Sequence, residues 1–250
     1  RDPISRAPGE SSRALSLRHC RSPWPGKGQR PRFAGVSTFV LVPGAFHGGW
    51  AWAPAAEELR RRRHIAIPVT LTGLGERKHL ISSSVGVETH IDDIVNTLVY
   101  RDLSDVTLVL HSYSGVLAGP IAEQVAGRVT RIVLAGGFLT HPGESNFSVE
   151  PPESVAAFRR LADEGGDGWR IPVQRSFLER WGVTDPALAA LVWPRLTDFP
   201  LRCSTEAVAY DPRVLASLPR TCWRARSRCQ PWSTVCSAAA AFADSVSGPG

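Results

Sequence analysis

Methionine is missing from all 250 residues, and lysine occurs only twice, at 27 and 78, against 27 arginines. The arginine bias points to GC-rich coding DNA, and the lack of Met at position 1 implies that the text is not a complete translation from an initiator. No apolar run reaches the roughly 18 residues that a membrane span needs, so no membrane partner is expected. Cysteine is sparse and odd in number, at 20, 203, 222, 229 and 236. The last three are seven apart with no histidine among them, which fits neither the tight pairs of a zinc site nor a disulfide framework. No metal and no cofactor are expected.

Acidic charge is scarce only at the ends. The formal charge is +6 overall. Residues 1–35 carry eight bases and two acids, and residues 221–250 three and one, so residues 36–220 sum to −2. The basicity therefore does not mark a binding face, and a nucleic-acid partner is not expected. The Arg-, Ser- and Pro-rich stretch 1–35 reads as an unstructured leader or translated upstream DNA, with a cleavable targeting segment as the alternative. A cytoplasmic location is the expectation, and nothing in the sequence sets the oligomeric state.

Regular patterning starts at "STFVLVP" (37–43), a buried-strand pattern followed by the turn "GAFHGGW" and the helix-forming "AWAPAAEELRRRR". "HIAIPVT" (64–70) reads as a second strand. "VETHIDDIVNTLVYRD" puts Ile91, Ile94, Val95, Leu98 and Val99 on one helical face. The strand "DVTLVLH" (105–111), a helix from Tyr113 to about Val125 and the strand "RVTRIVLAGG" (128–137) follow. Short apolar strands alternating with helices predict an α/β fold with a doubly wound, mostly parallel sheet over 36–220. Residues 144–212 break into short helical pieces, expected as a small helical cap over the strand ends. The alternative is a helical region with packing duties only. Residues 221–250 read as an aberrant, unstructured tail.

"LVLHSYSGV" (108–116) delivers Ser112 from a strand onto a helix. Such a turn exposes a nucleophile where helix-terminal N–H groups can stabilise an oxyanion. The turn favours small residues two before and two after the serine. Ser114 is small and Gly115 allows close packing, but Leu110 is large, so the G-x-S-x-G pattern is half met. Alone, an ordinary buried serine at a strand end would explain it.

Four ordered stretches change that: "FVLVPGAFHGGWAW", "VTLTGLGERKHL", "VETHIDDIVNTLVYRDLSDVTLVLHSYSGV" and "GGFLTHPGES". Together they resemble the α/β-hydrolase superfamily from about Thr38 to Arg220. They are most similar to small bacterial hydrolases related to plant methyl-ester esterases and hydroxynitrile lyases. The resemblance implies Ser112 as the nucleophile and the backbone N–H groups of Ala45 and Tyr113 as oxyanion donors. It also implies a small apolar ester as the partner of the site. Phe46, Trp50 and Phe138 are candidate pocket residues, with Tyr113 beside them. His111 also matches the pattern and is expected to pack, and Trp50 and Trp52 match it as core or pocket wall.

In that family an acid and then a histidine follow the nucleophile in chain order. The histidines here are at 19, 47, 64, 79, 90, 111 and 141, none beyond His141. "SLPRT" (217–221) looks like the start of the acid-bearing strand, yet Asp244 is the one acid after it. Read from the last base of the Thr221 codon, the codons for Thr-Cys-Trp-Arg become NTG-YTG-GCG, an apolar residue, Leu and Ala. A frameshift or a mispredicted exon near residue 221 is therefore the expectation, against true loss of the triad. His141 and His47 are the candidate substitute bases. The competing functions are a hydroxynitrile lyase-like activity, which the lack of any Lys after Lys78 disfavours, and a non-catalytic ligand-binding protein.

Overall fold

The computed structural model describes residues 35–223. The expectations for residues 1–34 and 224–250 lie outside the described residues.

Among the described residues, five parallel strands form the central sheet: β1 (Thr38–Val42), β2 (Ile65–Pro68), β3 (Val106–His111), β4 (Val129–Ala135) and β7 (Arg220–Trp223), in the order β2-β1-β3-β4-β7. The helices between them are α1 (Ala53–Arg61), α2 (Val87–Tyr100) and α3 (Ala118–Gln124). Because β2 lies on one side of β1 and β3 on the other, the chain reverses its winding direction between β1 and β3. Loops leaving the carboxyl ends of such neighbours part and open a crevice. The register sets Val42 beside Leu110, so the loops after β1 and β3 emerge level with each other.

Alternation along β1 and β3 explains the two layers. Val40, Val42, Leu108 and Leu110 face the larger core with α2 and α3, and Phe39, Leu41 and Val109 face the smaller core with α1 and Trp52. Being buried on both faces, these strands read as continuous apolar runs. Leu110, too large for the usual elbow pattern, is fully buried in the larger core.

Several boundaries differ from expectation. The buried stripe of α2 is Val87, Ile91, Ile94 and Leu98, at spacings of three and four, whereas Val99 is 42% exposed. Val99 lies a further 100° around the helix from Leu98, beyond the stripe. The helix expected from Tyr113 begins as a 3₁₀ turn over Ser112–Leu117 and becomes α3 only at Ala118. The sheet includes Thr221–Trp223, which the sequence assigned to an unstructured tail. Backbone pairing with β4, from Ile132↔Arg220 to Ala135↔Trp223, holds this short strand despite its polar composition.

Between β4 and β7 come α4 (Asn146–Val149), α5 (Pro152–Gly165), β5 (Arg170–Ile171), α6 (Ser176–Arg180), α7 (Pro186–Val192), β6 (Phe199–Pro200), α8 (Arg202–Thr205) and α9 (Pro212–Ala216). Pro at the first or second position starts α5, α7 and α9, where a missing N–H costs nothing. The pairing of β5 with β6, antiparallel, was not anticipated among the helical pieces.

Candidate active site

Ser112 follows the last residue of β3 and has φ 52°, a left-handed backbone rare for a residue with a side chain. Strain of this kind, of the order of 1–3 kcal/mol, persists only where the surroundings over-determine it. Here they do. The Ser114 hydroxyl accepts from the His111 N–H at 2.8 Å, lies 3.0 Å from the His111 carbonyl and 3.2 Å from the Val42 carbonyl, and is fully buried. Gly115 presses on the loop after β4. A Cβ there would stand 2.3 Å from the Phe138 carbonyl oxygen, so only glycine fits. The Phe138 N–H in turn donates to the Ser112 carbonyl at 3.3 Å.

The loop after β1 meets this turn through Gly44, whose N–H donates to His111 Nδ1 at 3.3 Å. A Cβ on Gly44 would lie 2.9 Å from the Ser112 Cβ, which explains the glycine at that position. His111 must be neutral to accept there, and burial together with nearby His47 pushes its pKa down to about 3. The sequence assigned His111 to packing; it also ties the two loops together. The side chain of His47 donates from Nδ1 to the Ala45 carbonyl at 2.6 Å, and burial lowers its pKa to about 4. Phe46 has φ 67°, and its carbonyl accepts from the Thr197 N–H at 3.1 Å, so the segment before β6 braces the loop.

Behind the turn, Tyr113 is 1% exposed. Thr72 offers only a carbonyl to His90 Nε2 at 2.9 Å, so Nε2 carries the proton and Nδ1 accepts from the Tyr113 hydroxyl at 3.1 Å. Burial, opposed by the Thr72 bond, lowers the His90 pKa to about 4. Cys203 packs beside it, its Sγ 3.9 Å from His90 Nε2. This buried triad of side chains joins α2, the serine turn and α8.

Gly44, Ala45, Ser112 and Tyr113 line one cavity of about 370 Å³. Its remaining wall is largely aromatic, with Phe46, Phe138, Phe158, Phe177, Trp181 and Phe199. Phe46 is the hub, its ring centroid 5.3–6.4 Å from those of Phe177, Phe199, Trp181 and Phe158. Of the residues proposed from sequence, Ser112, Ala45, Tyr113, Phe46, Phe138 and His47 converge on the cavity. Trp50 and His141 do not line it. Trp50 stands behind His47, ring centroids 5.8 Å apart, because its 3₁₀ turn presents Ala51 and Trp52 to the cavity instead. His141 is exposed, on a turn closed by its N–H to Glu144 Oε2 at 2.7 Å.

Sequence reasoning missed the contribution of the region after β4. Asn146, Glu150, Phe158, Phe177, Arg180 and Trp181 reach the cavity from α4, α5, α6 and the loops between. The only signal was an aromatic excess on short amphipathic pieces, which ordinary packing explains equally well.

Comparison with known proteins agrees with this architecture. A carbendazim-hydrolysing esterase of Nocardioides is 37% identical over 127 residues, covering 49% of this chain and 52% of that protein. Methylesterase 7 of Arabidopsis thaliana is 28% identical over 128 residues, 50% of this chain and 46% of that one. The chain thus spans about half the length of the curated relatives it matches. Among solved structures, an extracellular α/β-hydrolase from a Paenibacillus species, described as homologous in structure and function to tobacco salicylic acid binding protein 2, superposes with a TM-score of 0.67. It shares 25% identity over 74% of this chain and 76% of that one. The family model described as "Alpha/beta hydrolase family" matches residues 39–246, so the chain belongs to the α/β-hydrolase family.

Proposed function

We propose that this chain is built as a serine hydrolase of carboxylic esters, acting on a small apolar ester through an acyl-enzyme at Ser112. The observation that carries the reading is the strained φ of Ser112 at the mouth of a strand-to-helix turn, on the wall of an aromatic cavity shared with Ala45 and Tyr113. A cavity of about 370 Å³ suits a small ligand. Relatives named as esterases support the reaction class. In the proposed reaction the Ser112 oxygen attacks the ester carbonyl, and the N–H groups of Ala45 and Tyr113 hold the developing oxyanion. The alkoxide leaves with a proton, and water then releases the acid from Ser112.

The proton is the weak point. His47 and His111 line the cavity. The bond from His47 Nδ1 to Ala45 leaves the lone pair on Nε2, the tautomer a base needs. Its pKa near 4 makes it a feeble proton acceptor at neutral pH. We therefore propose that the 250-residue chain turns over esters weakly, keeping about 10³–10⁴-fold over water from binding and oxyanion stabilisation. The depressed pKa of both pocket histidines also favours a second reading, a ligand-binding protein without turnover.

A fluorophosphonate probe and p-nitrophenyl acetate, applied to the chain and to Ser112→Ala, separate the two. Slow, saturable labelling and turnover that vanish with Ser112→Ala are expected. Silence toward both reagents with ligand binding intact would overturn the hydrolase reading.

A further inference from the structure

The cavity is mostly apolar, which makes its polar wall informative. Asn146 lines it and is 5% exposed, and its Oδ1 has no hydrogen-bond partner among the described residues. A buried acceptor without a donor is costly enough that native folds rarely leave one. Trp52 Nε1 is orphaned too; its ring packs in the core on the α1 face, edge-on to His111, and also reaches the cavity, where it would serve a ligand acceptor and not a ligand donor. Asn146 is different. It begins a four-residue helical turn between the sheet and α5, and Glu150, just after that turn, lines the same cavity. Burial raises the Glu150 pKa, with Arg180 opposing it. The polar patch thus sets the Asn146 and Glu150 oxygens beside the Arg180 guanidinium, which donates to the Ser154 hydroxyl, within a cavity whose other walls include Phe158, Phe177, Trp181 and Phe199. Of these oxygens, the Asn146 Oδ1 is the buried one without a donor among the described residues.

We propose that Asn146 is a specificity-determining residue that accepts a hydrogen bond from an N–H or O–H borne on an aromatic ring of the substrate. The aromatic wall supplies the stacking surface, and the broad terminal torsion of an asparagine lets the amide turn toward the ring's donor. This rests on the cavity being the substrate pocket of an ester hydrolase, and it narrows the substrate class to aromatic or heteroaromatic esters carrying such a donor. A cavity of about 370 Å³ admits water, so a ring donor takes the place of a water on the Asn146 oxygen, whereas a ligand lacking one displaces that water and leaves the oxygen unpaired.

Indole and benzofuran test this directly, because they share shape and apolar area and differ in the ring N–H. Their dissociation constants are measured by calorimetry with the full chain, Asn146→Leu and Asn146→Asp. Indole is expected to bind the parent chain roughly three- to tenfold more tightly than benzofuran, as one neutral hydrogen bond allows. Asn146→Leu should reduce that ratio to about one while benzofuran binding is kept, and Asn146→Asp, which retains an acceptor, should preserve it. Equal affinities in the parent chain, tighter binding of benzofuran, or a preference that survives Asn146→Leu would each overturn the proposal. Should Asn146→Leu fail to fold, the parent and Asn146→Asp ratios still decide. Fluorophosphonate labelling of Ser112 needs no ring donor, so labelling with no indole preference would sink the subsite and leave the hydrolase reading intact.

Discussion

Acid should unfold this protein well above the pH at which carboxylates titrate. His90, His47 and His111 are held neutral in the folded state, with pKa values pushed down to about 4, 4 and 3, chiefly by burial. In the unfolded chain each returns to about 6.5 and binds a proton as the pH falls below that value. Protons then favour the unfolded state, so the stability contributed by each neutral ring is full above about pH 6.5 and is lost progressively toward its folded pKa. The slope approaches 1.4 kcal/mol per pH unit for each ring. Between about pH 7 and pH 5 the loss is roughly 2 kcal/mol per histidine, or on the order of 5 kcal/mol for three, against a total stability of about 5–15 kcal/mol. His64, lowered in the same direction by burial and Arg62, adds to it. Carboxylates contribute little in that window, because their ordinary values lie near 4. Urea unfolding at about pH 7, 6 and 5 measures the loss. His90→Gln supplies the control, since an amide can still donate to the Thr72 carbonyl and accept from Tyr113 without titrating. That variant should lose about a third of the pH dependence. A stability change under about 1 kcal/mol across the window, or an undiminished slope in His90→Gln, would refute the burial argument.

Two further substitutions probe the packing around the serine turn. Gly115→Ala places a Cβ 2.3 Å from the Phe138 carbonyl, which must push the loop after β4 away. The expected cost is roughly 3 kcal/mol, seen as a melting temperature lower by about 6–12 °C; an unchanged melting temperature would show that the loop yields freely. Asp93 is a nine-tenths-buried carboxylate that accepts from the Thr72 N–H at 2.6 Å, the Thr72 hydroxyl at 3.0 Å and Arg77 Nη1 at 2.6 Å. Asp93→Ala strands the Thr72 donors, while Arg77 Nη1 keeps the Thr70 carbonyl at 3.0 Å, and should cost about 2–3 kcal/mol by chemical denaturation; a loss under about 1 kcal/mol would mean that water replaces the carboxylate.

The sheet was legible because burial on both faces writes itself as an unbroken apolar run, as in "FVLV" and "VTLVL". The serine turn was legible for a different reason: Ser114 and Gly115 are small where Val42 and Phe138 come close. What the sequence hid was long-range. Nothing near Tyr113 in the chain shows that its hydroxyl meets His90, 23 residues away. Thr197 bracing the Phe46 carbonyl is 151 residues distant and has no local signature. Trp50 was misassigned because a 3₁₀ turn rotates successive side chains by about 120° instead of the 100° of an α-helix, so the indole that faces the cavity is Trp52. His141 was misassigned because a residue can leave the correct edge of the sheet and still point to solvent.

The register of the sheet bears on the missing base. His111 pairs with Ala135, and Ala135 with Trp223, so β3, β4 and β7 end level with one another. A chain leaving β7 therefore departs from the same edge of the sheet as Ser112. That is where the fold can accept an acid and a histidine in the order the family uses. In this sequence the residues after Trp223 begin Arg-Ala-Arg-Ser-Arg, contain no histidine, and reach an acid only at Asp244. Under the proposed reading, the carboxyl ends of β1 and β3 carry the nucleophile and its oxyanion donors, while the sequence after β7 contains no histidine to take the serine proton. A sheet that ends level is what allows the two halves of such a site to be specified by separate stretches of chain. On that reading one half can keep its geometry, including the unfavourable φ of Ser112, independently of the other.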